Sequence, residues 1–127
     1  MQKIVIYTDL DGSLLDHQDY SHAAADALLD ELEQQGIPVI PVSSKTRAEL
    51  VELRSELGNT HPFIVENGAA VFIPGDYFEK QPAGTLQQDR FFVREFSLPR
   101  SYWLQKLETV ARQYRRDYTG FEALSND

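Results

Sequence analysis

The chain has 127 residues, a net charge of −8, no cysteine and a hydrophobic fraction of 42%. This length and composition suit one domain with a hydrophobic core. The acidic balance argues against nonspecific nucleic-acid binding, which needs clustered lysine and arginine, and the lack of cysteine excludes disulfides and thiolate metal sites. Since the sequence shows no long apolar segment and no signal-peptide pattern, we expect a cytoplasmic protein that binds neither membranes nor nucleic acid.

An apolar run at residues 4–7 is followed by two carboxylates, Asp9 and Asp11. The run predicts a strand that is buried on both faces, in the middle of a parallel sheet. In open α/β sheets, ligands bind beyond the carboxyl ends of the strands. The two carboxylates, on a turn eased by Gly12, can therefore supply a metal ligand, a nucleophile and a proton-transfer group. The alternative is a polar strand end with an Asp-Gly turn, such as a hairpin.

Strands and helices are predicted to alternate through the following residues. Apolar spacing predicts a helix that Ser21 caps and that ends at Gly36, and a second helix that ends at Gly58. We expect strands near residues 3–8, 37–42 and 62–66 to be mutually parallel, with the first strand central among them. Another strand is predicted at residues 70–73.

The composition changes after the fourth predicted strand. Residues 77–89 are rich in Gln, Pro, Gly, Thr and Asp, which predicts a linker or a domain edge. A strand over residues 90–96 and a helix that opens at Pro99 follow. The basic cluster late in that helix is typical of a solvated helix end, and it consists of Arg112, Arg115 and Arg116.

Three short strings carry a resemblance to a known family. They are Asp9-Leu10-Asp11-Gly12-Ser13, Ser43-Ser44-Lys45-Thr46-Arg47 and Glu66-Asn67-Gly68-Ala69-Ala70. The first resembles the first motif of the haloacid dehalogenase-like phosphatases. The other two, with Tyr77-Phe78, resemble the mannosyl-3-phosphoglycerate phosphatase branch. The resemblance implies an α/β fold, the Rossmann-like parallel sheet core of that family in partial form. Residues 1–82 would be the N-terminal part of the phosphatase core, and residues 83–127 a linker and the beginning of an α/β cap domain.

The resemblance also implies roles for individual residues. Asp9 would attack phosphorus and carry the phosphoryl group as an aspartyl phosphate. Asp11 would protonate the leaving alcohol and then activate water. A Mg²⁺ ion would bind the Asp9 carboxylate and the backbone carbonyl of Asp11. Ser43 would contact the transferring phosphoryl group, and the residues that would help to hold the substrate are Ser44, Lys45 and Asn67.

Each of the substrate-holding residues also has a structural interpretation. Ser43 and Ser44 could cap the helix that begins near Thr46. Lys45 could be a surface charge, and Asn67 could be only a turn residue. The three histidines of the chain lack ligand spacing, so we assign them no role.

The sequence departs from the family pattern late in the chain. The family needs a lysine that bridges nucleophile and phosphate, and a late acidic motif, commonly Gly-Asp-x-x-Asn-Asp. Lys106 falls in a predicted cap helix, and neither a strand nor a glycine introduces Ser125-Asn126-Asp127. We therefore expect the N-terminal part of a Mg²⁺-dependent phosphomonoesterase of a phosphorylated sugar acid, such as mannosyl-3-phosphoglycerate, with little activity of its own.

Two other functions stay open. A non-catalytic phosphatase remnant would act as a binding module through an open sheet edge, with self-association or a complementing C-terminal chain as its partner. A phosphoacceptor receiver domain would need an aspartate after its third strand, where this chain has Glu66-Asn67-Gly68. The receiver domain is therefore the less favoured of the two.

Overall fold

The computed structural model describes residues 3–114 and 119–120. The chain divides into two compact units, Met1–Phe96 and Ser97–Asp127. Two groups from the sequence analysis lie outside the described residues, namely Arg115 with Arg116 and the string Ser125-Asn126-Asp127. Within the described ranges, no helix is both long enough and apolar enough to cross a membrane.

Six strands and three helices make up the described structure. In chain order they are β1 (Ile6–Thr8), α1 (Ala23–Gln34), β2 (Val39–Pro41), α2 (Arg47–Glu56), β3 (Phe63–Val65), β4 (Ala70–Pro74), β5 (Leu86–Gln88), β6 (Phe91–Glu95) and α3 (Arg100–Val110). A short 3₁₀ turn, Glu66–Gly68, joins β3 to β4. The second unit holds α3 and a short 3₁₀ turn, Arg112–Tyr114. Strand β5 lies within residues 77–89, the segment whose composition predicts a linker or a domain edge. The sequence did not predict this strand, because two glutamines in three residues give no strand signal.

The strands form a two-stranded parallel sheet, β1-β2, and a four-stranded antiparallel sheet in the order β3-β4-β6-β5. Strand β1 pairs in parallel with β2, in the register Ile6 to Val39. A single parallel bridge from Val42 to Ile64 leads from β2 to β3. Beyond that point β3 pairs with β4, β4 with β6, and β6 with β5, all antiparallel. The three predicted parallel strands therefore adjoin one another, and an antiparallel extension follows them.

The predicted position of the first strand is wrong for the part of the chain that the structure describes. Here β1 pairs only with β2, so that β2 and not β1 lies between neighbours. Ile4, Val5 and Tyr7 are 53%, 48% and 66% exposed, so the strand is not buried on both faces. Apolar, β-branched composition predicts burial, but no described residue pairs with the outer edge of β1.

The core of the first unit lies between the sheet and α2. It is built from the buried side chains of Leu10, Leu15, Leu50, Phe63, Val65, Ala70, Phe72, Phe91 and Val93. Phe63 stacks on Phe72 with ring centroids 5.2 Å apart, and Phe91 meets Phe63 edge-on at 5.4 Å. Leu10 and Leu15 come from the acidic turn, so this turn is anchored directly in the core.

Neither helix begins at the N-cap residue that the sequence suggested. Thr46 is the N-cap of α2, and it forms a reciprocal capping box with Glu49. This satisfies the helix start without Ser43 or Ser44, so the capping interpretation of those serines is wrong. His22 rather than Ser21 is the N-cap of α1, and its side chain makes no cap hydrogen bond. The Ser21 Oγ nevertheless accepts from the N–H of Ala23, the first residue of α1, at 3.2 Å.

Candidate functional site

An open cavity of about 560 Å³ lies at the carboxyl ends of β1, β2 and β3. Its lining residues are Tyr7, Thr8, Asp9, Asp11, Val42, Ser43, Ser44 and Asn67. Five of the six residues singled out in the sequence therefore share one cavity, although they come from three separate segments. This is the edge at which open α/β sheets bind their ligands.

The acidic turn presents its two carboxylates to solvent. Leu10 is fully buried, whereas Asp9 and Asp11 on either side of it are exposed. The Asp9 Oδ1 atom accepts a hydrogen bond from its neighbour's backbone, Leu10 N, at 2.8 Å. Gly12 has a φ of +76°, and its N–H donates to the carbonyl of Leu15 at 3.0 Å, which closes the turn. Because β1 pairs in parallel with β2, the hairpin alternative for this turn is wrong.

Ser43 is the buried member of the site, with 4% of its surface exposed. Its N–H donates to the carbonyl of Ile64 at 3.1 Å, and its Oγ accepts from the N–H of Lys45 at 3.1 Å. Its own carbonyl accepts from the N–H of Asn67 at 3.0 Å. These bonds fix the loop after β2 against the loop after β3. The hydroxyl proton of Ser43 is not used in them, so it can be donated to a ligand oxygen.

Asn67 reaches the cavity through an unusual backbone. Glu66, Asn67 and Gly68 all have positive φ angles, of 49°, 57° and 93°. For a residue with a Cβ this conformation costs on the order of 1 kcal/mol, less for asparagine than for glutamate. The N–H of Glu66 donates to the carbonyl of Lys45 at 3.1 Å, which helps to hold the turn. Asn67 is thus a turn residue, as the structural interpretation has it, and it also lines the cavity.

Lys45 does not line the cavity, but it contacts a residue that does. Its Nζ lies 3.2 Å from Asp11 Oδ1, and only 23% of its side chain is exposed. The same Nζ lies 5.8 Å from the centroid of the Tyr20 ring. Lys45 is therefore an ion-pair partner of the acidic turn, and its interpretation as a surface charge is wrong.

The sequence analysis missed three residues near the carboxylates, namely Tyr7, Thr8 and Tyr20. The first two line the cavity because they end the strand that leads into the acidic turn. Their position directly before Asp9 was the available signal. Tyr20 is a loop residue with a φ of +58°, and its ring lies near Lys45. No sequence pattern predicts this contact.

The donor set of the cavity fits magnesium better than zinc or calcium. Within the described residues, no three side chains of His, Cys, Asp or Glu are grouped to hold a metal ion. Zinc and calcium sites normally need three or more protein ligands. Magnesium is usually held by one or two carboxylates, and it keeps water and phosphate oxygens as its other ligands. Asp9 and Asp11 meet that requirement.

Known sequences match this chain over most of its length. A family model described as haloacid dehalogenase-like hydrolase matches residues 6–92. A glucosyl-3-phosphoglycerate/mannosyl-3-phosphoglycerate phosphatase of Methanococcoides burtonii is 42% identical over 119 residues, which are 94% of this chain and 44% of that protein. A mannosyl-3-phosphoglycerate phosphatase of Pyrococcus furiosus is 34% identical over 116 residues, 91% of this chain and 47% of that protein. The chain thus spans less than half the length of these relatives.

Solved structures share the fold. A haloacid dehalogenase-like hydrolase from Bacteroides thetaiotaomicron superposes with a TM-score of 0.62 at 20% identity, over 90% of this chain and 39% of that chain. A haloacid dehalogenase-like hydrolase from B. subtilis gives a TM-score of 0.58 at 21% identity, over 89% and 34% of the two chains. At such identities the likeness supports the fold alone.

Proposed function

This chain belongs to the haloacid dehalogenase-like hydrolase family, and we propose that it forms the N-terminal part of a Mg²⁺-dependent phosphomonoesterase. The family match and the structural neighbours confirm the predicted fold class, a partial α/β core. One observation carries the proposed function: Asp9, Asp11 and Ser43, from two separate segments, line one cavity at the carboxyl ends of neighbouring strands.

Asp9 is the proposed nucleophile. The hydrogen bond from Leu10 N to Oδ1 fixes the carboxylate, and it leaves the second oxygen to attack phosphorus. As the bond from Asp9 to phosphorus forms, the bond from phosphorus to the substrate alcohol breaks. The phosphoryl group is then held as an acyl phosphate on Asp9, which divides one difficult hydrolysis into two transfers.

Asp11 is the proposed acid and base. It gives its proton to the departing alkoxide in the first transfer. It then accepts a proton from the water that attacks phosphorus, which frees inorganic phosphate and restores the carboxylate of Asp9. The ammonium group of Lys45, 3.2 Å away, would stabilise the ionised form of Asp11 between these steps.

The remaining site residues would offset the charge of the phosphoryl group. A bound Mg²⁺ ion would supply most of the positive charge that lets a carboxylate approach a phosphate dianion. Asp9, through its carboxylate, and Asp11, through its backbone carbonyl, would hold the ion. Ser43 would donate its hydroxyl proton to a phosphoryl oxygen, and Ser44 and Asn67, which also line the cavity, would hold the rest of the substrate. Lys45, which lies outside that lining, would act through Asp11.

The proposed substrate class comes from the relatives. The relative from Methanococcoides burtonii is named for glucosyl-3-phosphoglycerate and mannosyl-3-phosphoglycerate, and the one from Pyrococcus furiosus is named for mannosyl-3-phosphoglycerate. We therefore propose a phosphorylated sugar acid as substrate. In the proposed division, residues 1–82 belong to the core and a cap begins within residues 83–127. The compact unit that begins at Ser97 supports a cap in that range.

The exposed edge of β1 favours a second candidate function, that of a binding module. The side chains of Ile4, Val5 and Tyr7 are exposed, and no described residue pairs with the outer edge of this strand. Such edges associate readily with further strands. We propose that a complementing chain occupies this edge. That chain would correspond to the part of the relatives that the present chain does not span. Self-association would appear instead as a dimer in size-exclusion chromatography at rising concentration.

A fusion enzyme would test the proposed function. The 127-residue chain is joined to the portion of the Methanococcoides burtonii relative that it does not span, and hydrolysis of a phosphomonoester is measured with Mg²⁺. We expect Asp9→Asn to abolish turnover, and Asp11→Asn to cost roughly 10²–10⁴-fold. Ser43→Ala should cost about 10²-fold, because it removes one donor to the phosphoryl group. An Asp9→Asn fusion that keeps wild-type turnover would refute the proposal.

A further inference from the structure

A second cavity, of about 670 Å³, lies at the end of the sheet opposite to the two carboxylates. Its lining residues include Arg54 and Asn59 from the end of α2 and the following loop, Gly75 and Asp76 after β4, and Arg90 before β6. Strand β3 begins after Asn59 and ends at the turn that carries Asn67. The cavity therefore lies at the amino end of β3, whereas the candidate catalytic cavity lies at its carboxyl end.

Arg54 is a buried arginine at the wall of this cavity, with 5% of its surface exposed. Its guanidinium lies over the Phe63 ring at 4.4 Å. Its Nε donates to Asn59 Oδ1 at 3.2 Å, and its NH2 group donates to the carbonyl of His61. These contacts use two of the five N–H groups of the side chain, and they fix the plane of the guanidinium. Further donors are left over.

Arg90 adds a second positive charge to the same cavity. Burial and the charge of Arg90 lower the pKa of Arg54 to about 10. The carbonyl of Arg90 accepts from the N–H of Gly75 at 2.9 Å, which ties the turn before β6 to the cavity rim. Within residues 3–114 and 119–120, neither arginine forms an ion pair, and Asp76, which also lines the cavity, lies beyond ion-pair distance of both.

A buried arginine without a carboxylate partner is unusual, because burying an unpaired charge costs free energy. An anion between the two guanidinium groups would offset that cost and their mutual repulsion. Arginine binds phosphate and carboxylate oxygens through pairs of N–H groups in a planar fork. With Asp76 included, the three charged side chains that line the cavity sum to one positive charge, so a small anion suits it better than a cation.

We propose that this cavity is a binding site for a small phosphate-type oxyanion, held between Arg54 and Arg90 and separate from the catalytic cavity. Inorganic phosphate and a phosphorylated acid such as 3-phosphoglycerate share this chemistry. The site would bind its ligand without a metal ion and without Asp9. The proposal therefore does not depend on the proposed catalytic mechanism.

The test is titration of the 127-residue chain with inorganic phosphate, and separately with 3-phosphoglycerate, in EDTA at constant ionic strength. Calorimetry gives the affinity, and backbone amide NMR shifts locate the ligand. We expect shifts at Asn59, Gly75 and Asp76. Arg90→Gln should weaken binding about tenfold or more, as expected for loss of a hydrogen bond to a charged group. The ligand with the higher affinity shows whether the site prefers free phosphate or a phosphorylated acid.

Two controls keep the proposal falsifiable. Arg94→Gln makes the same change of charge on β6, outside the cavity lining, and it should leave binding unchanged. Asp9→Asn should also leave it unchanged. Equal losses for Arg90→Gln and Arg94→Gln would indicate only a general charge effect and would overturn the proposal. Shifts confined to Ser43 and Asn67, or an absence of binding by the wild type, would overturn it as well.

Discussion

Truncation of Leu10 tests whether the acidic turn is part of the hydrophobic core. Leu10 is 0% exposed and packs in the same buried cluster as Leu50 and Phe63. Leu10→Ala removes buried carbon atoms and leaves a cavity, and such changes cost about 3–5 kcal/mol where the surroundings relax little. This is a large share of the roughly 5–15 kcal/mol by which domains are stable. For a urea slope of about 2 kcal/mol per molar, the unfolding midpoint should fall by about 2 M.

Urea unfolding followed by far-ultraviolet circular dichroism is the suitable assay, because the single tryptophan, Trp103, belongs to the other compact unit. Leu28→Ala is the matched control. Leu28 lies on α1 with 58% of its surface exposed, so the same truncation should cost within about 1 kcal/mol. A cost of less than about 1 kcal/mol for Leu10→Ala, at an unchanged urea slope, would refute the anchoring of the turn in the core.

Three further predictions concern the loop after β2 and the start of α2. Ser43→Ala should lower the free energy of unfolding by about 1–2 kcal/mol, because the N–H of Lys45 loses its acceptor, whereas Ser44→Ala should stay within about 0.5 kcal/mol; equal costs in urea unfolding would contradict this. Thr46→Ala should cost about 1 kcal/mol in the same assay, as loss of an N-cap does, and an unchanged midpoint would contradict the capping box. Hydrogen bonds from Thr46 hold the pKa of Glu49 below its ordinary value of 4.5, so its contribution to stability is complete above that value and is lost as the pH falls through the lower folded-state pKa. The free energy of unfolding of Glu49→Gln should therefore fall less steeply than that of the wild type over that range of pH. Identical pH dependence of the two proteins in urea unfolding would contradict this prediction.

Local signals in the sequence were sufficient for most of the elements and for the two carboxylates of the candidate site. Apolar spacing and the stop at Gly58 predict α2, whereas the capping box of Thr46 and Glu49 at its start was not predicted. Asp9 and Asp11 could be singled out because they follow directly after a predicted strand, whereas Ser43, Ser44, Lys45 and Asn67 were implied only by the resemblance to the family. The structure brings Asp9, Ser43 and Asn67 to one cavity, because the carboxyl ends of neighbouring parallel strands lie at the same edge of a sheet.

Contacts between distant segments could not be predicted. The ion pair of Lys45 with Asp11 joins loops more than thirty residues apart, and no feature of the sequence near Lys45 predicts this contact. The buried position of Arg54 depends on Phe63, which comes from the next strand. The exposure of β1 could not be predicted for the same reason. Its composition shows that the strand is apolar, but it does not show whether another strand pairs with it.

Chemical trapping of the phosphoryl group tests the central claim, that Asp9 is the nucleophile. The fusion enzyme carrying Asp11→Asn is mixed with Mg²⁺ and 4-nitrophenyl phosphate, whose leaving group departs without a general acid. Without Asp11 to activate water, the acyl phosphate should accumulate, and borohydride then reduces a phosphorylated aspartate to homoserine. Peptide mass spectrometry should find homoserine at position 9. Homoserine at another aspartate, or release of nitrophenol in a burst with no modified residue, would contradict the account.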